Sequence, residues 1–213
     1  MRPIVVTGSE AETMGPKELS ERIVQGLVAS EIVDVVGIGS GIPCAIGGIN
    51  LSRNIARFSL KSVALDNIQI PVYGKQEAIF FELSHDPEVV SPVITQFETK
   101  PEQEKSQLTI SVFKGDQIPK ITNQILYKLS KYPMIKIIAA GFTIVTAVRA
   151  TLQVVTSGIS IEPAGIVAVL STSIKRRDFP DKKIPAIHIF LERGQETTYG
   201  PHHAEVLAQV IQG

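Results

Sequence analysis

Cysteine is almost missing from this sequence. One residue of 213, Cys44, carries a thiol, so no disulfide can close within the chain and a reducing setting is expected. Long apolar runs are missing too. The longest, Ile137 to Val148, is bounded by Lys136 and Arg149 and falls short of the roughly 18 residues needed to cross a bilayer. No leader is expected ahead of the first hydrophobic segment, since Met1-Arg2-Pro3 runs straight into Ile4-Val5-Val6. These absences predict a soluble, cytoplasmic protein with no membrane partner. Catalytic constellations are lacking as well: there is no Ser-His-Asp arrangement in recognisable context and no paired acidic motif. No Cys or His stands at ligand spacing from His202-His203. The expectation is a protein that is not an enzyme, with no catalytic residue, cofactor or metal.

Net charge is also zero, 21 Lys or Arg balancing 21 Asp or Glu, but the charges are unevenly placed. Residues 107–193 hold 12 Lys or Arg against 5 Asp or Glu, a net of +7, whereas residues 1–83 hold 7 against 9, a net of −2. A basic half beside an acidic one points to a polyanion contact confined to the second half.

What is present is a duplicated pattern. Gly39-Ser40-Gly41-Ile42-Pro43-Cys44-Ala45-Ile46 and Gly141-Phe142-Thr143-Ile144-Val145-Thr146-Ala147-Val148 both read G-x-x-I-x-x-A-[V/I], 102 residues apart. Each follows a β-branched run, Ile32 to Val36 or Ile135 to Ile138, and each leads into a helical pattern. The same offset carries the helix stripe Leu19, Ile23, Leu27 onto Ile121, Ile125, Leu129, behind Pro16 and Pro119. Register shared by a helix, a strand and a motif over ~30 residues marks a repeat.

In the first unit a strand at Pro3–Val6 and a loop through Gly15 are expected before a helix from Pro16 to about Ala29. The motif helix is expected over Ile42 to Ala56. Alternation at residues 60–67 and a closing strand at Ala78–Leu83 complete the unit around a turn at Gly74. The second unit matches, with strands at Ile166–Ile174 and Ala186–Leu191 joined by a long basic loop. Each unit therefore reads β-α-β-α-β-β. The organisation is 1–83, a Pro- and Glu-containing linker at 84–106, 107–193, and a tail at 194–213 that carries a short helix with Val206, Leu207, Val210 and Ile211 on one side.

This order, with a glycine motif like Gly141-x-x-Ile144-x-x-Ala147-Val148 between the second strand and the second helix, resembles the Alba family of archaeal chromatin proteins and their RNA-binding relatives. The likeness covers the second unit nearly end to end and the first more loosely. It implies an α+β fold of two Alba-like β-α-β-α-β-β units. Alba domains pair through their second helices, so a tandem copy implies an intramolecular pseudo-dimer, with each repeat the other's partner and room for a higher homo-oligomer. It also implies binding to DNA or RNA with low sequence specificity, through a basic hairpin arm. On this sequence the arm is Lys175, Arg176, Arg177, Lys182 and Lys183, with Phe179 placed to stack on a base or wedge into a groove. The family's paired lysines after the first strand have no counterpart at Gly8-Ser9-Glu10 or Gly115-Asp116-Gln117, and Lys114 and Lys120 flank the second of these loops in their stead. Phe142 holds the position where the family has a basic residue, and Arg149 lies on the motif helix.

Two other functions compete with that reading. One is a protein-interaction or structural module that has lost nucleic-acid binding, supported by the zero net charge. The other is a nucleotide-binding enzyme using Gly37-Ile38-Gly39-Ser40-Gly41, a glycine run between strand and helix whose spacing is not that of a dinucleotide fold. Ala45, Gly47 and Gly48 allow close approach of another helix, for which the second unit's Val145, Val148 and Leu152 are the expected partners; a locally broken helix would fit equally well. Cys44 reads as a small buried hydrophobe, and His188 as a satisfied core or surface histidine.

Overall fold

The computed structural model describes residues 2–70, 73–85, 108–156, 164–175, 183–197 and 201–212. The first unit runs β1 (Ile4–Val6), α1 (Gly8–Ala29), β2 (Ile32–Ile38), a single 3-10 turn (Gly39–Gly41), α2 (Ile42–Ser52), β3 (Phe58–Ile70) and β4 (Gly74–His85). The second runs β5 (Thr109–Ser111), α3 (Ile118–Lys131), β6 (Met134–Ala140), α4 (Thr143–Thr156), β7 (Ala164–Lys175) and β8 (Lys183–Arg193), and α5 (Pro201–Gln212) follows. Two four-stranded mixed sheets result, ordered β1-β2-β4-β3 and β5-β6-β8-β7. In each, the short first strand is parallel to the second and the rest are antiparallel. The fold class is α+β. The linker expected at 84–106 lies outside the described residues except for Ser84 and His85, which extend β4.

The repeated residues are the ones that build the core. Ile42, Ala45 and Ile46 of the first motif and Ile144, Ala147 and Val148 of the second are all fully buried. So are Leu19, Ile23, Ile121 and Ile125, with Leu27 and Leu129 nearly so. Each of the leucine, isoleucine and valine side chains contributes about 1.5–3 kcal/mol through its removal from water, and each alanine about 0.8 kcal/mol. Residues of both units fall in one contiguous apolar cluster. Across it α2 lies against β7 and β8, α4 lies against β3 and β4, and α2 touches α4.

Several boundaries differ from the sequence expectation for identifiable reasons. A helical segment from Gly8, capped by Thr7, stands where a loop through Gly15 was expected, and the helix expected from Pro16 follows it within α1. The Glu10 amide donates to the Thr7 hydroxyl at 3.4 Å, and the Thr7 amide donates to the Glu10 carboxylate at 2.8 Å, a reciprocal capping box. The helix kinks at Gly15, where φ is +66°, and Pro16 restarts it. Helix α2 ends at Ser52 rather than Ala56, since Asn54 and Ile55 donate to Leu51 and Ser52 in a tightened last turn. Strict alternation through residues 60–67 fails at a β-bulge between Leu60 and Ser62. The extra residue flips the phase, so that Leu60 before it and Val63 and Leu65 after it all pack on the same core. The second unit repeats the bulge between Ile166 and Ala168.

The small residues of α2 serve a different neighbour from the one expected. A Cβ on Gly48 would lie 2.6 Å from the Leu19 side chain, and one on Gly47 3.1 Å from Pro16. The helix that approaches them is therefore α1 of the same unit, locked further by the Ser52 hydroxyl at 3.2 Å from that of Ser20. Helix α2 is unbroken through both glycines.

Helix α5 settles where the tail goes. Val206, Leu207 and Val210 pack on Val36, Ile38, Ile68, Ala78 and Phe80, on the face of the first sheet turned away from the main core. Two histidines fasten its start: His202 Nε2 is 3.0 Å from Asp34 on β2, and His203 Nε2 is 3.2 Å from Asp66 on β3 with its ring edge-on to Phe80.

Candidate nucleic-acid interface

The register of the second sheet gathers several of the basic and aromatic residues singled out in the sequence. β5 and β6 run parallel with Ser111 opposite Ile138, so the chain leaves both strands at the same end of the sheet. β8 runs the other way, with Ala186 opposite Ala140, and the Gly141 amide donates to the Pro185 carbonyl at 2.8 Å. The β7–β8 hairpin closes Lys175 on Lys183, beyond the end of β6. The Phe113–Lys114 turn, the Gly141–Phe142 joint and the two hairpin lysines thus converge on one end of the unit. Arg176, Arg177, Phe179 and Lys182 lie outside the described residues.

The turn after β5 is closed on itself. The Asp116 amide donates to the Phe113 carbonyl at 3.1 Å, and Gly115 holds φ at +94°, the value that the third position of such a turn demands of glycine. The Asp116 carboxylate accepts the Phe113 amide at 2.8 Å and the Lys120 ammonium at 2.7 Å. These donors, Lys120 first, hold its carboxyl below the usual aspartate range. Lys114 projects from this turn, exposed and in no ion pair among the described residues. Lys120 stands one turn into α3 and is already paired.

Phe113 was not signalled by the sequence pattern, yet it is 69% exposed, and Phe142 is 96% exposed. The signal for Phe113 was indirect. Ile110 and Val112 are buried, and strand alternation puts the following position outward if the strand stops there. Phe142 follows Gly141, whose φ of +58° matches the +53° of Gly39 at the equivalent joint of the first unit. Thr143 pins this joint, its hydroxyl accepting the Ala140 amide at 3.1 Å.

Arg149 is placed elsewhere. Two turns into α4, its guanidinium forms a two-pronged pair with Glu77 on β4, the Nε donating at 3.1 Å and Nη2 closer still. Glu77 is nearly buried while the arginine side chain is half exposed. The residue joins the two units rather than standing free.

The glycine run of the first unit is occupied by protein. A Cβ on Gly41 would lie 2.1 Å from the Val6 carbonyl oxygen, and one on Gly37 would lie 2.8 Å from Ala45. Close backbone packing, not a cradle, explains these glycines. Cys44 is buried and free, its thiol pushed up by burial. His202 is raised by its hydrogen bond to Asp34, with Glu82 and Glu205 adding to the effect. No group of three or more potential metal ligands occurs among the described residues, and no helix there is long and apolar enough to cross a membrane.

The chain matches no protein-family model, and no curated protein is significantly similar to it.

Proposed function

We propose that the chain is a tandem Alba-like protein whose units associate as an intramolecular pseudo-dimer, and that it binds DNA or RNA chiefly through phosphates, using one end of the second unit. The observation that carries the reading is the convergence of Lys114, Lys175 and Lys183 with Phe142 at the end of the second sheet, where the described acid, Asp116, is already held by Lys120 and the Phe113 amide. Cations on protruding loops neutralise phosphates and release counterions, a contact that needs no base recognition. The exchange of α2 and α4 between the two hairpins supports the pairing, and a covalent linker holds such partners at an effective concentration of order mM. The buried Cys44 thiol suits a cytoplasmic, reducing setting.

Filter binding of the full chain to duplex DNA, duplex RNA and single-stranded RNA, each at several salt concentrations, tests the proposal. Binding should weaken with salt, and replacing Lys175, Arg176 and Arg177 by alanine should lower the slope of log K against log salt by about 0.7–0.9 for each phosphate no longer neutralised. Failure to bind any of these probes would turn the reading to the protein-interaction module.

A further inference from the structure

Building on that reading, we propose that the nucleic acid taken by this end of the second unit is single-stranded, with Phe113 and Phe142 as stacking platforms for unpaired bases and Lys114 beside them for the backbone. Two phenylalanines exposed by 69 and 96% are held out on loops that leave neighbouring parallel strands. Neither loop is loosely attached. Phe113 opens the turn closed by Asp116 and Gly115, and Phe142 follows a joint tied to Pro185 on β8 and to Thr143 on α4. An aromatic ring fixed in water forgoes the gain that burial would bring; held rigidly, it loses little freedom when a planar partner covers it.

The first unit shows that the repeat does not require these rings. Val35 pairs with Ile4, and its counterpart Ile137 pairs with Ile110, so Phe113 answers to Thr7 and Phe142 to Ser40. Thr7 caps α1 and Ser40 is a small polar residue at an exposed turn. The aromatics belong to the basic unit alone. Bases in a duplex already stack on one another, and insertion of a ring between them requires unstacking; an unpaired base offers its face directly.

The test compares the full chain with Phe113→Ala, Phe142→Ala and Lys114→Ala variants by fluorescence anisotropy. The probes are one mixed sequence of roughly 20 nucleotides as single-stranded RNA, single-stranded DNA, the duplex of each, and a single strand with abasic sites, a length that covers the usual footprint of such modules. Each Phe substitution should weaken single-strand binding about 5- to 150-fold, leave the salt slope unchanged, leave duplex binding unchanged, and have no effect on the abasic strand. Lys114→Ala should instead lower the slope by about 0.7 on single strands. Single-stranded RNA and DNA affected alike identifies the base as the shared ligand; an effect on one alone assigns the site to that polymer. Phe variants that bind every probe as the parent does, while Lys114→Ala weakens binding, would overturn the stacking proposal and leave the phosphate reading standing. A parent that binds no probe overturns both.

Discussion

Arg149 and Glu77 offer a prediction in which one substitution changes sign with its background. The guanidinium is half exposed, so when Glu77 is replaced by Gln water can still serve the arginine, and the amide oxygen keeps one acceptor. The Glu77 side chain is only 6% exposed, so deleting Arg149 leaves a nearly buried anion without its two donors. Hydrogen bonds to charged groups are worth about 1.5–3 kcal/mol, and exposure of the arginine side discounts this, so Arg149→Ala should cost about 1–2 kcal/mol. At about 2–4 °C per kcal/mol for a chain of this size, the midpoint of thermal unfolding at pH 7 should fall by about 2–8 °C. Glu77→Gln alone should cost less. In the Arg149→Ala background the same Glu77→Gln change should raise the midpoint, because it removes the unpaired charge. If Glu77→Gln lowered stability equally in both backgrounds, the two residues would not be coupled and the junction would rest on apolar packing alone. Arg149→Ala should also leave the salt slope of nucleic-acid binding unchanged, because its charge is spent within the protein.

Three further outcomes follow from particular atoms. Burial, helped by Lys136, lowers His188 to about 4; the unfolded chain therefore binds a proton that the folded one refuses between about pH 4 and 6.5, and stability should fall as pH drops through that window by about 3 kcal/mol at most, reduced by solvent screening because the ring is only partly buried, a loss that denaturant titrations on His188→Phe should no longer show. His202 is raised instead, so its contribution is complete below its unfolded value and is lost as pH rises through its folded one; the protection factors of α5 amides, taken relative to the intrinsic base-catalysed rate at each pH, should fall from pH 6 to 8.5, and His202→Asn should abolish that trend. Gly41→Ala drives a Cβ against the Val6 carbonyl and should cost about 1–3 kcal/mol or more in denaturant unfolding, whereas Gly47→Ala, at 3.1 Å from a proline ring, should be within about 1 kcal/mol of neutral.

The order of elements was legible because the repeat places the same apolar residues in the same phase twice: Ile42, Ala45 and Ile46 against Ile144, Ala147 and Val148. Details that break a period were not. The capping box at Thr7 and Glu10 hides in a polar stretch that also suits a loop, and the bulge at Lys61 inverts an alternation that otherwise reads cleanly. The partner expected for Gly48, the second unit's motif helix, was the wrong one, and Arg149 was expected to meet nucleic acid, since a small residue or a charge states a requirement and leaves its neighbour open; α1 and Glu77 are decided by tertiary packing. Docking of α5 was invisible for the same reason, as its apolar stripe fits any sheet face. At the candidate site, the lysines were found by counting charge, while Phe113 was hidden beside the apolar run of β5 and became visible only once the strand was seen to end at Ser111.

The two units differ in a way that bears on what each is for. At one end, the first unit carries Thr7, a helix cap, and Ser40 where the second carries Phe113 and Phe142. On the outer sheet face the first unit is covered by α5, and Asp34 and Asp66 there are engaged by His202 and His203; the second unit carries Lys136 where the first has Asp34, and His188 where it has Phe80. Both sets of changes run in the same direction: groups that could meet a ligand in the first unit are spent on capping or on holding a helix. A repeat that binds a polyanion on one unit needs the other only as a partner that holds α2 and α4 in place. Substitutions confined to the first unit's tip, such as Ser40→Ala, should therefore leave nucleic-acid affinity within about twofold in the anisotropy assay, whereas Phe142→Ala at the equivalent position should lower it by about fivefold or more. Equal losses at the two positions would contradict the division of roles.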